Sequence, residues 1–357
     1  MLLFRTCSGD LRRARRRAVA ALGCLLIGAC SHPRPAAETL YVSDERGDAV
    51  VGINPDSGVI VGRYSPGRRP RGVVLSHDGT QLYVAVSGSP IGGPDVDERT
   101  LPPADHAADG IAVIDLASGK VARVLPAGDD PETFTLSPDG RTLFVSNEED
   151  GLVSAVAVNG GRAPISTKVG EEPEGVAVTP DGARLFVACE ASDHVAMLDA
   201  RTLRPIRTIP LKGRPRGLLM SRDGGTLYAS VESAGKLAMI SAIDGSVIGL
   251  IDLASGDKSV KPMGIVEAPD GHLFVTTGRA GTVMEIDPKA GTIVRTIRHV
   301  GKRPWGIGIT TDGRTLMTAN GPSGDVSMID RASGKVVRKI GIGKGPWGVA
   351  GHTVTGS

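Results

Sequence analysis

Apolar residues recur along the chain in short runs separated by turn residues, not at the spacing of an amphipathic helix. A representative unit passes through an apolar run at 175–179, an Asp-Gly turn at Asp181 and a second apolar run at 185–188. Two further runs follow, joined by a turn that contains glycine. Because Asp-Gly supplies the positive φ that a tight hairpin needs, each unit is predicted to be a four-stranded antiparallel meander.

The unit repeats from Thr39 onward with a period of about 42 residues, which is typical of propeller blades. A proline precedes the first apolar run of each unit, at successive spacings of 61, 42, 42, 47, 42 and 42 residues. These marker prolines are Pro70, Pro131, Pro173, Pro215, Pro262, Pro304 and Pro346. The pattern predicts an all-β, seven-bladed β-propeller of four-stranded antiparallel blades over residues 39–357.

The two ends of the repeat region are complementary. The sequence at Tyr41 has the pattern of a second strand, whereas the run that begins at Trp347 has the pattern of a first strand with no successor. We therefore expect the C-terminal strand to complete the first blade. This closure would remove the open sheet edges that promote aggregation.

The N-terminal segment is typical of an export signal. Residues 1–29 hold six arginines followed by an apolar run at 18–29 that is too short to span a bilayer. The sequence 27–30 resembles the bacterial lipobox, which implies lipidation at Cys30, with ordinary cleavage nearby as the alternative. A polar tether over 30–38 would then follow. We expect an exported, periplasmic protein held on a membrane by the lipid alone, and Ser31 favours the outer membrane.

The charge of the exported part argues against a nucleic-acid partner. Loss of residues 1–29 reduces 41 Lys and Arg to 35 and 39 Asp and Glu to 38, so the net charge becomes −3. The basic footprint typical of a nucleic-acid-binding domain is therefore absent from the mature chain.

Several units, among them 143–147, 195–199 and 303–307, resemble the YVTN family of β-propeller repeats, and the resemblance covers 39–352. The seven repeats, the signal and the Arg-Pro-Trp-Gly form are most similar to the propeller proteins associated with PQQ-dependent alcohol catabolism. That resemblance implies a pathway and a possible periplasmic PQQ-dependent dehydrogenase as partner, without defining a reaction. Seven-bladed lactonases are also similar. The haem d1 domain of nitrite reductases is similar as well, but it has eight blades.

Residues at one end of the ring are the candidate site. In an antiparallel blade the end of the second strand lies beside the beginning of the first, so both positions meet at one mouth of the channel. The residues after the marker prolines are Arg71, Glu132, Glu174, Arg216, Met263, Trp305 and Trp347. The residues that end second strands include Glu45, Asn147, Glu148, Glu190, Glu232 and Asn320.

These residues predict a funnel with an ionic half and an aromatic half. Arginine forks suit carboxylates and tryptophan faces suit flat rings, so the pattern favours an anionic aromatic ligand, a description that fits PQQ. A small anionic metabolite would use the same groups. The alternative is that Arg71 and Arg216 pair with the neighbouring glutamates and the tryptophans fill the channel.

The 61-residue spacing contains an insertion over 87–109, with Asp95, Asp97, Asp105 and His106 among several prolines. Long loops of this kind are often lids or binding loops, and a lid or partner surface over the mouth is expected. Its acidic groups would suit calcium, but no EF-hand spacing is present, so no metal site is predicted.

The sequence carries no nucleophile elbow, Walker loop or zincin motif, and Cys189 is expected to be a small buried apolar residue. The favoured hypothesis is therefore a non-enzymatic, envelope-located binding or scaffold propeller with its site at the channel mouth. The alternative is a lactonase-like hydrolase, for which Glu174 and Arg216 would be the catalytic residues.

Overall fold

The structure, a computed structural model, describes residues 38–92 and 98–351. These residues form seven antiparallel sheets of four strands each. The all-β, seven-bladed propeller predicted from the repeat is thereby confirmed. The predicted signal (1–29), Cys30, nearly all of the tether, and Asp95 and Asp97 of the insertion lie outside the described residues.

Blades are numbered from the sheet that contains the first strand. The strands of blades 1 to 3 are β1 (Leu40–Asp44), β2 (Ala49–Ile53), β3 (Ile60–Tyr64), β4 (Val73–Leu75), β5 (Gln81–Val86), β6 (Gly110–Asp115), β7 (Lys120–Leu125), β8 (Pro131–Leu136), β9 (Thr142–Asn147), β10 (Leu152–Ala157) and β11 (Ile165–Lys168).
The strands of blades 4 and 5 are β12 (Pro173–Val178), β13 (Arg184–Cys189), β14 (His194–Asp199), β15 (Pro205–Pro210), β16 (Pro215–Met220), β17 (Thr226–Val231), β18 (Lys236–Ser241) and β19 (Val247–Asp252). Those of blades 6 and 7, with the closing strand, are β20 (Ile265–Glu267), β21 (Leu273–Thr276), β22 (Val283–Asp287), β23 (Thr292–Ile297), β24 (Pro304–Ile309), β25 (Thr315–Asn320), β26 (Asp325–Asp330), β27 (Lys335–Gly341) and β28 (Pro346–Ala350).

The chain's two ends share blade 1, whose strand order is β28-β1-β2-β3. Tyr41 pairs with Ala350 and Val42 with Val349 in antiparallel register. Asp44 fixes this closure, because its Oδ1 accepts hydrogen bonds from the backbone N–H groups of Lys344 (2.9 Å) and Gly345 (2.7 Å). The C-terminal strand therefore completes the first blade, as its sequence pattern predicted.

The core lies between adjacent blades. Second and third strands are almost wholly buried, as in β13 and β14, whereas fourth strands such as β15 are largely exposed. The first strands of neighbouring blades contact one another around the central channel. This radial order explains the sequence pattern, since a strand buried on both faces has a continuous apolar run and an outer strand does not.

Residues 87–109 connect β5 to β6 and include two short 3₁₀ turns, Glu98–Thr100 and His106–Ala108. Within the described residues, no helix has the length and apolar character needed to cross a membrane.

Candidate functional site

The marker prolines and the ends of the second strands meet at one end of the channel. Pro131 pairs with Asn147, and Pro173 with Cys189, so the residues that follow these positions in different blades face one another. Together they line a cavity of about 1440 Å³ to which all seven blades contribute. The charged residues that the sequence assigned to a channel mouth are therefore brought together.

Arg71 is the centre of a first ionic cluster. Its guanidinium, 1% exposed, contacts Asp130 (2.5 Å), Glu132 (2.8 Å) and Glu148 (2.9 Å). Beside it, Arg69 contacts Glu45 at 3.0 Å and shares Asp130 at 3.2 Å. We define the first ionic cluster as Arg69, Arg71, Glu45, Asp130, Glu132 and Glu148.

Arg216 occupies the corresponding place in a second ionic cluster. Its Nε contacts Glu232 at 2.7 Å, one Nη contacts Glu190 at 2.6 Å, and the other contacts Glu174. Arg214 also pairs with Glu190 and lies 3.5 Å from Glu172. We define the second ionic cluster as Arg214, Arg216, Glu172, Glu174, Glu190 and Glu232.

Each ionic cluster places four carboxylates around two guanidinium groups. Arg71 and Arg216 are largely desolvated, which lowers their pKa, but the surrounding carboxylates outweigh this effect and raise it. Their forks are already occupied by side chains of the protein itself. Of the two alternatives that the sequence left open for these arginines, the contacts match internal pairing with glutamates.

The excess of carboxylates changes their proton affinities. Burial raises the pKa of Glu132 well above its usual range. The charge of Arg71 lowers this pKa, and the charge of Glu148 raises it further. For Glu148, the hydrogen bond with Glu132 and the charge of Arg71 outweigh burial and lower the pKa to about 2. A protonated Glu132 that donates to an ionised Glu148 is the arrangement these shifts favour.

Glu174 is a mouth carboxyl with a raised pKa. Burial raises its pKa to about 7, opposed by Arg216 and reinforced by the charges of Glu148 and Glu232. The side chain is 11% exposed and lines the cavity. A carboxyl with this pKa can exchange a proton with a bound molecule near neutral pH.

The opposite side of the cavity is built from tryptophans and cations. The Trp305 and Trp347 rings meet edge to face, with centroids 5.8 Å apart. The Arg303 guanidinium lies 5.0 Å from the centroid of Trp305, and that of Arg216 lies 5.8 Å from it. We call Trp305 and Trp347 the aromatic half.

Four cations accompany the aromatic half, and we call them the cationic rim: Lys261, Arg279, Arg303 and Lys344. Within residues 38–92 and 98–351, none of the four has a carboxylate oxygen within 4 Å of its charged nitrogens. Burial and the charge of Arg216 lower the pKa of Arg303, the opposite of the shift at Arg71. The rim can therefore accept an anion that the arginines of the ionic clusters cannot.

Sequence reasoning missed the residues that precede the marker prolines. In five blades they adopt the left-handed region, with φ of 46° at Arg69 and Asp130, 49° at Glu172 and Arg303, and 63° at Arg214. The signal was present, because in the four charged units each such residue repeats the charge sign of the residue after its proline. Arg303, followed by tryptophan, breaks that rule and joins the rim.

Two residues expected at the mouth turn inward instead. Asn147 and Asn320 are fully buried, and their amides donate to the carbonyl oxygens of Ala127 (2.8 Å) and Val300 (2.9 Å). They hold the connections between blades. Cys189 is also fully buried, and burial raises its pKa to about 12, so it is an apolar packing residue, as expected.

The described part of the insertion lies over the mouth, where Ser89, Pro90 and Ile91 line the cavity. Asp105 pairs with Arg68 at 2.9 Å on the surface. His106 contacts Asp109 at 3.0 Å and lies 3.8 Å from Asp129, so one ligand atom from each comes within the span of a metal site. Asp109 already accepts hydrogen bonds from the backbone N–H groups of Gly88 and Asp130, which gives it a structural role.

Comparison with known proteins places the fold. No family model matches the chain. Antigen Lp49 of Leptospira interrogans is 34% identical over 107 residues, which span 22% of this chain and 24% of the length of Lp49.

Among solved structures, the periplasmic gluconolactonase PpgL of Pseudomonas aeruginosa has a TM-score of 0.70 at 21% identity, covering 89% of this chain and 99% of its own. A putative 6-phosphogluconolactonase of Bacteroides uniformis has a TM-score of 0.66 at 18% identity, covering 88% and 99%. Hydrazine synthase of Kuenenia stuttgartiensis has a TM-score of 0.67 at 19% identity, covering 82% and 92%. At these identities the likeness shows the propeller fold alone.

Proposed function

We propose that the channel mouth binds a small anionic metabolite of the sugar-acid class. The observation that carries this proposal is the asymmetry of the cavity, where Arg303 lies on the face of Trp305 and, among the described residues, has no carboxylate oxygen within 4 Å. The two ionic clusters opposite it offer carboxylate oxygens that can accept hydrogen bonds from hydroxyl groups.

The physical match is between three ligand features and three parts of the cavity. An anionic group would be held by the cationic rim, since guanidinium groups form strong charge-assisted hydrogen bonds. The apolar face of the ligand would rest on Trp305, and its hydroxyls would face the glutamates. PQQ, an anionic flat molecule, satisfies the first two features but does not need the third, so it is a competitor in the same assay.

Intrinsic fluorescence tests the proposal directly, because the chain contains two tryptophans and both line the cavity. Titration with gluconate should change the fluorescence and saturate. Arg303→Ala should weaken binding about 10- to 100-fold, as expected for a lost charged hydrogen bond. Arg314→Ala, 85% exposed and distant from the mouth cavity, is the matched control.

A fluorescence change with PQQ but not with gluconate would replace the sugar-acid proposal with the cofactor-accessory one. That alternative extends to a periplasmic PQQ-dependent dehydrogenase as partner, for which co-purification after mild detergent extraction is the test. No change with either molecule would remove the small-molecule function.

Lactone hydrolysis is a second candidate, favoured by the pKa of Glu174 near 7. In this proposal ionised Glu174 accepts a proton from a water molecule that attacks the lactone carbonyl, and Arg216 keeps the carboxylate oriented. The ring C–O bond of the tetrahedral intermediate then breaks, and the departing ring oxygen takes the proton from Glu174, which returns to its ionised form. The structural likeness to the gluconolactonase PpgL and to the putative 6-phosphogluconolactonase of Bacteroides uniformis supports testing this substrate class.

The hydrolase version predicts turnover of an aldonic lactone that rises with pH around 7. Glu174→Gln should abolish it while leaving gluconate binding within a few-fold. Binding without turnover across a lactone panel would leave a non-enzymatic binding protein, the function that the sequence favoured.

We also propose that the protein is exported and lipid-anchored through Cys30. The export motif in the sequence supports this location, and PpgL, which has the same fold, is a periplasmic protein. Incorporation of labelled palmitate that is lost in Cys30→Ala would support the anchor, and a mature chain beginning elsewhere would exclude it.

A further inference from the structure

A second, smaller cavity of about 490 Å³ lies on the same end of the ring, beside blade 6. Its walls are the turn after β21 and the connection from β23 to β24. The lining residues are Arg279, Ala280, Gly281, Thr282, Arg298, His299, Gly301, Lys302 and Arg303. We call it the outer cavity.

The charge of the outer cavity has one sign. Four of its nine lining residues are Lys or Arg, a fifth is His299, and none is acidic. Within the described residues, none of these Lys and Arg side chains has a carboxylate oxygen within 4 Å. Two acidic groups interact with these arginines from farther away: the charge of Glu232 raises the pKa of Arg303 against burial and the charge of Arg216, and the charge of Arg298 helps Ser259 to lower the pKa of Asp257.

The outer cavity is continuous with the mouth, because Arg279 and Arg303 line both. The two loops that form its walls are packed closely against each other. Gly281 has a φ of 66°, and a Cβ added there would lie 2.7 Å from the carbonyl oxygen of Gly301 in the other loop. The N–H of Lys302 donates to Ser323 Oγ at 2.7 Å. The close packing of these two loops therefore brings the Lys and Arg side chains of the outer cavity together.

We infer that the outer cavity binds a terminal phosphate monoester of a ligand whose body lies in the mouth. This inference rests on the proposed function for the body of the ligand. A dianion suits several unpaired cations better than a single carboxylate does, and arginine forks match phosphate oxygens in geometry. The outer cavity would then select phosphorylated sugar acids over unphosphorylated ones.

Calorimetry at 0.15 M salt with 6-phosphogluconate and gluconate tests the selection. The wild type should bind 6-phosphogluconate at least about tenfold more tightly, and the Arg298→Ala/Lys302→Ala double variant should reduce that ratio to about one. These two residues line only the outer cavity. Lys212→Ala is the control and should leave the ratio unchanged, because Lys212 is an exposed lysine in the corresponding connection from blade 4 to blade 5.

A second readout separates this inference from the proposed function. Inorganic phosphate should protect Lys302, but not Lys212, from acetylation mapped by mass spectrometry. If phosphate protects Lys302 while neither sugar acid binds, the phosphate site stands and the sugar-acid function fails.

Equal affinity for the two sugar acids, or a ratio that survives in the double variant, would overturn the inference. A third result would also overturn the inference: the protein pellets with phosphatidylglycerol vesicles in a way that depends on Arg298 and Lys302, while phosphate does not protect Lys302 from acetylation. These cations would then bind a membrane surface. Absence of binding by all three probes would overturn both proposals.

Discussion

The residues on either side of the marker proline form internal ion pairs in one half of the mouth and remain available to a ligand in the other half. In blades 2 to 5 the residues on either side of the marker proline are charged, and arginine blades lie next to acidic blades, so the charges neutralise one another internally. In blade 7 the same positions hold Arg303 and Trp305, and within residues 38–92 and 98–351 no carboxylate oxygen lies within 4 Å of the Arg303 guanidinium. Charge order around the ring therefore decides which groups stay free for a ligand.

This difference indicates that the arginines of the ionic clusters stabilise the fold, whereas Arg303 is available to bind a ligand. A buried guanidinium that contacts three carboxylates holds blades together, whereas one on the face of a tryptophan leaves its donors for another molecule. The first arrangement should matter for stability and the second for affinity.

The largest expected effect is on stability in the ionic half. Arg71→Ala should reduce the free energy of unfolding by about 3–5 kcal/mol, because it removes a buried guanidinium that contacts Asp130, Glu132 and Glu148 and leaves Asp130 with Arg69 as its partner in the first ionic cluster. Arg303→Ala should cost under about 1 kcal/mol, since Arg303 forms no ion pair with the residues that the structure describes. Guanidinium denaturation of both variants measures the contrast. Equal losses would show that the two halves do not differ in this way.

The second effect concerns pH. Because the folded-state pKa of Glu174 is about 7 against 4.5 unfolded, its protonated form stabilises the fold fully below pH 4.5, and this contribution is lost as pH rises through 7. The loss should be about 3 kcal/mol at most. Denaturation of the wild type and Glu174→Gln at pH 5 and pH 8 measures it.

The free energy of unfolding of Glu174→Gln relative to the wild type should be higher at pH 8 than at pH 5. An identical pH dependence in the two proteins would mean that Glu174 titrates normally and would weaken its candidacy as a base.

A third, smaller effect concerns the closure that carries Trp347. Asp44→Ala should reduce the free energy of unfolding by about 2 kcal/mol, because the N–H groups of Lys344 and Gly345 lose their acceptor. The fluorescence of Trp347 should respond in a Trp305→Phe background. Unchanged stability would indicate that strand pairing with β28 suffices to close the ring.

The smallest effect is chemical. Cys189 precedes Glu190 of the second ionic cluster, and its burial and pKa of about 12 predict no reaction with thiol reagents in the folded protein. Peptide mapping should find Cys189 unmodified until denaturant is added. Rapid labelling would show that the second ionic cluster opens in solution.

Much of the fold could be predicted because it depends on local rules. Asp-Gly turns, marker prolines and short apolar runs each act within one unit, and the seven marker prolines predicted the seven blades. The complementary patterns at Tyr41 and Trp347 gave the closure. Most residue types of the site were predicted, but their ion pairs were not. Asp130 and Arg69 were not predicted as site residues, and the guanidinium groups of Arg71 and Arg216 contact carboxylates of the protein itself.

The sequence by itself determined the repeat, the ring and which residue types meet at the mouth, because period and turn chemistry are encoded over neighbouring residues. The tertiary structure decided which charges neutralise one another, because contacts such as Arg71 with Glu148 join residues far apart in the chain. It also decided that Arg303 lies on Trp305, with no carboxylate of the described residues within 4 Å, and that the cations of blade 6 line a cavity. Ion pairing depends on distances across blades, and those exist only once the ring has closed.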